Sequence, residues 1–355
     1  DDQSSGDDMN RCELRIEGGS LIAEGTANDS IVFRSNAESP DDNDWFGIYT
    51  SNVDVIHLSY VSFRHASYVV GQSGSWGSIS FNGNESDSLR ITNSFFRDIG
   101  HYIFKVSINV YDAGRAVIKN NKFADFNNAF IKDANIGSGS LLEIDSNQFI
   151  APHGNLSESN LNVYGTGSRI RFTNNQSTSN SHIRFNASGE NITEDQVIIE
   201  DNQLSSSGWS AVYLNGYSAT QGRFLVKDNT LDSMRVSVQD AAKALIQGNT
   251  INKYQDNYGA AIYISNSHAV VENNTIQDHR GSGIEIYASF DYQAVKDTIR
   301  NNTITGNNTY NNDYRGGIVI SGYGNPVIWT NDIYDNSYYD IRNNSTVNDI
   351  DARFN

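Results

Sequence analysis

Asn274-Thr-Ile276, then Asn302-Thr-Ile304, then Asn331-Asp-Ile333: an asparagine followed two residues later by an apolar residue recurs along this chain. The phrase also reads Asn93-Ser-Phe95, Asn121-Lys-Phe123, Asn147-Gln-Phe149, Asn202-Gln-Leu204, Asn229-Thr-Leu231 and Asn249-Thr-Ile251, about once every 20 to 30 residues. Asn175-Gln-Ser177 is a degenerate copy, and Val61-Ser-Phe63 reads as an earlier one. A period of this length with strand-like text inside each repeat marks a solenoid, whose repeats stack to bury one continuous core.

Two further short strands sit inside most repeats. One alternates apolar, polar, apolar, as in Ile183-Arg-Phe185, Val212-Tyr-Leu214, Ile262-Tyr-Ile264 and Ile284-Glu-Ile286. Its flanking residues can face a core, so its middle residue is expected to face solvent. The other precedes the asparagine phrase, as in Leu89-Arg-Ile91, Ala116-Val-Ile118 and Phe224-Leu-Val226. No stretch has the 3.6-residue period of an amphipathic helix. The expectation is an all-β fold: a single-stranded right-handed parallel β-helix of about 12 coils. The repeated Asn is expected to line one turn as a structural ladder, tolerating left-handed backbone angles and bonding to its counterpart in the next coil.

Composition narrows the function. The chain has 355 residues, three prolines, one cysteine and a net charge of −17. The acidic balance argues against nucleic acid as a partner, which needs a basic footprint. Cys12 alone excludes an intrachain disulfide framework and a Cys-based zinc site. No window has the apolar length of a membrane span. The polar start, residues 1–11, reads as a disordered tail of a processed protein or excised domain, and residues 12–355 as the β-helix domain.

The opening text Gly19-Ser-Leu-Ile-Ala-Glu-Gly-Thr26, followed by Ile31-Val-Phe33 and Trp45-Phe-Gly-Ile48, resembles the right-handed parallel β-helix superfamily of pectate-lyase type. Trp76-Gly-Ser-Ile79 repeats the last element, and Asp349-Ile-Asp-Ala-Arg-Phe-Asn355 resembles the tail of many of its members. In them that tail commonly continues into a Trp-Gly pair, which this sequence does not reach. The resemblance implies the fold but no single activity, because the superfamily includes lyases, epimerases, hydrolases, phage tailspikes and surface proteins. The catalytic phrases of polygalacturonases, pectate lyases and mannuronan epimerases are absent. Asn82-Gly-Asn-Glu85 with Arg90 lacks the spacing of the alginate and chondroitin lyase motif, and Arg90 reads as an ordinary outward strand residue.

The middle outward positions form a file of Tyr49, Ser80, Asn109, Asn162, Arg184, Tyr213, Ser237, Tyr263, Glu285 and Val319. Neighbouring outward positions add Tyr164, His182, Asn186, Asn215, Arg235 and Tyr287. Tyrosine rings stack on sugars while amides and guanidinium groups make directional bonds, so a linear glycan laid along this face would meet them at successive sugars. Uronate elimination needs positive charge on the carboxylate, a base and an acid. Arg184 and Arg235 could supply the first, His182 the second and Tyr213 the third. Tyr164, Asn186, Asn215, Tyr263, Glu285 and Tyr287 are the candidate ligand-binding residues. Glycoside hydrolysis would need two carboxylates, and Glu285 stands alone in the file. In late turns, Asp256-Asn-Tyr-Gly259, Asp278-His-Arg-Gly281 and Asp313-Tyr-Arg-Gly316 recur, with Gly expected to supply unusual turn angles.

The reading is therefore an extracellular or cell-surface β-helix that binds or acts on a polysaccharide. The alternatives are a non-catalytic adhesion or self-assembling module, joined to further domains, and a viral tailspike shaft. No cofactor is assigned from the sequence; turn aspartates could hold Ca²⁺ through oxygen ligands, although no Asp-x-Asp-x-Asp phrase with a glycine occurs.

Overall fold

The computed structural model describes residues 12–50, 53–67, 78–83, 88–100, 103–108, 114–126, 130–150, 161–178, 182–188, 194–217, 222–289, 297–345 and 349–355. The polar start, residues 1–11, and Asn109 lie outside them. Among the described residues every regular element is a β-strand, and no helix is long and apolar enough to cross a membrane. The chain forms two compact units, residues 1–179 and 180–355.

In the first unit every third strand pairs in parallel, which gives three faces. The first face stacks Glu13–Ile16, Gly47–Thr50, Ile79–Gly83, Phe104–Ile108, Ile131–Ile136 and Leu161–Thr166. The second stacks Gly19–Glu24, Val53–Ser59, Ser88–Thr92, Arg115–Lys119, Leu141–Asp145 and Arg169–Thr173. The third stacks Ile31–Phe33, Val61–Arg64, Phe95–Ile99, Lys122–Phe126, Gln148–Ile150 and Gln176–Ser177.

The second unit repeats this plan. Its first face runs from Ile183–Ser188 through the later parts of Gln203–Asn215 and Thr230–Gln239, then Ala260–Ser265, Ser282–Ala288, Ile318–Gly322 and Ile341–Ser345. Its second face runs from Val197–Glu200 to Asp351–Arg353. The third begins in the early parts of Gln203–Asn215 and Thr230–Gln239 and continues through Thr250–Asn252, Thr275–Gln277, Thr303–Thr305 and Asp332–Tyr334. Each unit is thus a parallel β-helix.

In-register stacking aligns like side chains inside. In the first unit the rings of Phe63, Phe96, Phe123 and Phe149 follow one another at centroid spacings of 5.6, 5.1 and 5.3 Å. In the second, Leu204, Leu231, Ile251, Ile276 and Ile304 form the corresponding buried file, and Ile333 is half-buried. Parallel pairing with mostly apolar inward positions explains why many strands can be as short as three residues.

The asparagine ladder holds one turn of each coil. In the second unit the Oδ1 of Asn229, Asn249, Asn274, Asn302, Asn331 and Asn355 each accepts from the backbone N–H of the preceding rung, at 2.9–3.1 Å. The Nδ2 of Asn274 donates to Asn302 Oδ1, to the Ile246 carbonyl and to the Glu272 carbonyl. Asn121, Asn147 and Asn175 make the same ladder in the first unit. Asn355 is a further rung, which the series of asparagine phrases did not include.

Two expectations about this turn are corrected. The left-handed residue is the one before each rung: Asn120, Ser146, Asp228, Gly248, Asn273, Asn301, Thr330 and Phe354 all have positive φ, and the rung asparagines do not. The Asn93-Ser-Phe95 phrase is also displaced by one residue. Asn93 is the left-handed residue, with φ of 51°, Ser94 takes the rung, and Phe96 points inward beside Phe123. The Ser94 N–H donates to Asn121 Oδ1, and Ser94 Oγ accepts from Val61 N–H. Because both Phe95 and Phe96 are apolar, pattern alone could not choose between the two frames.

A second ladder runs through the late turns. The Tyr254 N–H donates to His279 Nδ1 at 2.9 Å, and His279 Nε2 lies 2.9 Å from the Ile251 carbonyl. The His279 N–H donates to Asn307 Oδ1, and the Asn307 N–H to Asn336 Oδ1. Again the preceding residues, Lys253, Asp278, Gly306 and Asp335, are left-handed. Gly281 and Gly316 have ordinary φ, so the expectation of unusual angles there is corrected. A Cβ on Gly281 would strike the Gly259 carbonyl of the adjacent coil, and one on Gly316 the Tyr339 carbonyl. Close stacking of turns, not φ, selects these glycines.

Two outcomes follow for stability. Asn274→Ala leaves the Asn249 N–H without its acceptor and removes the donor to the Ile246 and Glu272 carbonyls, and it should cost about 2–4 kcal/mol in chemical denaturation. Asn274→Asp should cost more at neutral pH, because it aims a carboxylate oxygen at three acceptors; equal losses would contradict the ladder assignment. His279 is fully buried, which lowers its pKa to about 4. The unfolded chain then takes up the proton first. Stability should be level above about pH 6.5, fall by roughly 1.4 kcal/mol per unit down to about 4, and level off below. His279→Asn rebuilds the rung in the form of Asn307 and should flatten that slope in urea unfolding between pH 4 and 7; an unaltered slope would refute the assignment.

Candidate functional site

Nine of the ten site residues singled out above lie in the second unit, on its first face. The register places Arg184, Tyr213, Ser237, Tyr263, Glu285 and Val319 in one file across successive strands. Asn186, Asn215, Gln239, Ser265 and Tyr287 form the file beside it. Tyr164 belongs to the first unit, where its hydroxyl accepts a bond from Asn162 Nδ2 at 3.1 Å.

The expectation that every middle residue faces open solvent is corrected. Ser237 and Val319 are fully buried, at 0 % and 2 % exposure, although both occupy outward positions. Small side chains there lie between long neighbours in adjacent coils, which close over them. Asn186 is also buried, and Asn215 accepts a bond from the Tyr217 N–H, so these two carry structural partners. Tyr287 is exposed, while Tyr263 is half-buried.

His182, Arg184, Tyr213 and Arg235 come together around one phenol ring. The His182 imidazole meets the Tyr213 ring edge-on, with centroids 5.1 Å apart and planes at 71°. The Arg184 guanidinium lies 5.3 Å from that ring centroid and Arg235 5.6 Å from it. Arg235 Nη2 donates to the Tyr213 hydroxyl at 3.2 Å. Arg235 also lies 5.6 Å from the ring of Tyr254, so two tyrosines flank its planar cation.

Tyr254, which sequence reasoning missed, is buried, and its phenol is pushed up to about 12, mainly by burial and further by Asp256, despite Arg235. It therefore stays a hydrogen-bond donor at neutral pH. Nothing in the sequence marked it, because the left-handed turn at Lys253 that places it is seen only in the structure. Burial lowers the His182 pKa, and the cations of Arg184 and Arg235 lower it further. The imidazole is neutral at pH 7 and can accept a proton.

Glu285 is held by Arg315, from the turn Asp313-Tyr-Arg-Gly316. Burial raises the Glu285 pKa, while Arg315 opposes the rise. Arg315, from the third of the late turn phrases, thus belongs to this face. Nearby, Arg280 stacks on Tyr310, and Tyr310 meets Tyr258 edge-on. Among the described residues no group of three or more His, Cys, Asp or Glu side chains could hold a metal ion, so the Ca²⁺ expectation finds no cluster there.

With this architecture in hand, comparison with protein families gives one match. The model of the right-handed β-helix region matches residues 160–308 and 255–351, together more than half of the chain. The chain belongs to the right-handed β-helix family. Neither the curated proteins nor the solved structures contain a match to it. Membership fixes the hand of the coils as right and assigns no chemistry.

The Glu285–Arg315 pair is mostly buried, at 16 % and 18 % side-chain exposure. Glu285→Gln leaves the Arg315 charge uncompensated and should cost about 3–5 kcal/mol of stability. Adding Arg315→Met should recover part of that loss. Additive losses in the double variant, measured by chemical denaturation, would show that the two groups do not act as a pair.

Proposed function

We propose that this β-helix binds a linear acidic glycan along the first face of its second unit. The observation that carries the reading is a set of buried polar atoms without partners: His182 Nδ1, Arg235 Nε, Ser237 Oγ and Arg315 Nε. Buried polar atoms are nearly always paired in native proteins, so four on one face mark a place where a ligand or water supplies the missing bonds. The face also holds Arg184, Arg235 and Arg315 against Glu285 and Asp256, a local excess of positive charge on an acidic chain. Equivalent positions recur at about 4.8 Å along the stack, which suits a polymer better than a small metabolite.

The groups around Tyr213 also suit β-elimination at a uronate. The guanidinium of Arg184 would neutralise the sugar carboxylate. Neutral His182 would take the C5 proton, the electrons would form the C4–C5 double bond, and the C4–O4 bond would break. A tyrosine hydroxyl, polarised by Arg235, would protonate the departing oxygen. Hydrolysis is less well served, because the carboxylate of Glu285 is engaged by Arg315.

The test is incubation with a panel of polysaccharides, read by ultraviolet absorbance for unsaturated products and by reducing ends. Elimination should be level at neutral pH and fall on the acid side with a midpoint below 6.5, because His182 must be neutral. Tyr213→Phe should lower kcat about 10²–10⁴-fold. Binding without turnover, weakened more than tenfold by Tyr213→Ala with Tyr263→Ala, would leave a glycan-binding module. Failure of every glycan to bind the parent chain would transfer the assignment to a surface or structural module.

A further inference from the structure

A second feature lies in the first unit, on its second face, and does not depend on the reading above. Here strands Gly19–Glu24, Val53–Ser59, Ser88–Thr92, Arg115–Lys119 and Leu141–Asp145 stack in register. Their outward residues make three files. The central file is Ile22, His57, Arg90, Val117 and Glu143; beside it run Glu24, Ser59, Thr92, Lys119 and Asp145. Ser88 and Arg115 lie side by side in the third file.

These side chains enclose a groove of about 520 Å³ between His57, Arg90, Arg115, Lys119 and Glu143, with a smaller recess of about 210 Å³ toward Glu24. The relief has a simple cause. Val117 is short and half-buried, and it sits between Arg90 and Glu143 in the central file. Long side chains therefore wall a depression floored by an aliphatic residue. The groove and its recess together cross five strands, a span of about 19 Å at the usual strand spacing.

The charges are unevenly matched. Arg115 Nη2 bonds Glu143 at 3.1 Å, and Lys119 Nζ bonds Asp145 at 2.6 Å. Burial alone would raise the Asp145 carboxyl, but bonds from Lys119, Asn174 and Thr173 outweigh it and hold it low, so Lys119 is committed. His57 Nδ1 faces Glu24 at 3.7 Å. Arg90, at the centre, has no hydrogen-bond or ion-pair partner among the described residues and is exposed to the groove. A planar fork with five donors and no acceptor is suited to a carboxylate, which it can hold by two parallel bonds.

We infer that this groove is a binding site for a carboxylate-bearing sugar of a linear chain, with Arg90 on the carboxylate. Val117 gives the pyranose ring an apolar floor. Glu143 and the Ser88 hydroxyl flank the ring where sugar hydroxyls need partners. The polar lining and open, elongated form fit a saccharide better than an apolar ligand, which would need more hydrophobic wall.

The experiment is a titration of the isotopically labelled chain with a 1,4-linked galacturonate tetramer, followed by amide shifts. The arms are the same tetramer with its carboxyls methyl-esterified, and sodium sulfate. Saturable shifts at Arg90, Val117 and Lys119 are expected, resolved from any at Tyr213 or Tyr263. Arg90→Ala, an exposed change on a strand, should weaken binding at these amides at least tenfold while leaving the other strands' shifts intact. Arg90→Lys should restore it only in part, because a point charge lacks the fork. The methyl ester should bind at least tenfold more weakly than the acid. Absence of shifts at these amides, or equal binding by Arg90→Ala, would overturn the assignment. Sulfate saturating the site as tightly as the tetramer would reduce it to a simple anion site and overturn the sugar.

Discussion

A planar amide that accepts two hydrogen bonds on its oxygen and donates two or more from its nitrogen is the constraint on which this fold depends. Each rung asparagine is fixed by the next coil and in turn holds the carbonyls of the one before it. Its side chain is buried, so the alternative to these bonds is a desolvated, unpaired amide, which costs more than the bonds themselves contribute. The rung works only if the chain turns sharply just before it. That turn is made by a left-handed residue; Asn, Asp, Ser, Thr and Gly take the position at most rungs and Phe354 before Asn355, and Asn, Asp and Gly tolerate positive φ best. The ladder and the left-handed step together set where each coil begins its third strand.

Once the turn is fixed, everything else is stacked in register. Inside, the consequence is files of like residues, with phenylalanines in the first unit and leucine and isoleucine in the second. Outside, it is files of functional groups whose neighbours come from different coils. In the second unit this places three basic side chains and several phenols on one face, where burial and mutual repulsion keep His182 neutral. In the first unit the same rule places a short valine between long charged residues and opens a groove around an unpaired arginine. Stacking thus creates both relief and charge imbalance on faces whose individual strands look ordinary.

Several features of the site could not be read from the strands singly. Ser237 occupies an outward position by alternation, yet its burial depends on Tyr213 and Tyr263 in the adjacent strands. Arg315 reaches Glu285 across coils from a turn whose length does not announce its direction. Tyr254 enters from the second ladder, where a tyrosine stands in the place that asparagine or histidine takes elsewhere. Arg90 reads as an ordinary surface arginine until the strands beyond it show that the nearby Glu143 and Asp145 carboxylates are already paired with Arg115 and Lys119.

The sequence by itself determined the solenoid, the three short strands of a repeat, the asparagine ladder and the identity of most core residues. These are local and periodic, and a period of two within strands and of 20 to 30 residues between rungs leaves few other solutions. It set the frame of Asn93-Ser-Phe95 one residue off, because two adjacent phenylalanines satisfy either reading and only the Ser94 bond to Asn121 decides between them. Tertiary structure alone decided which polar atoms are buried without partners and which charges neutralise one another. Those properties belong to contacts between coils, across sequence separations of about 20 to 30 residues, where turn geometry and side-chain length set the distances.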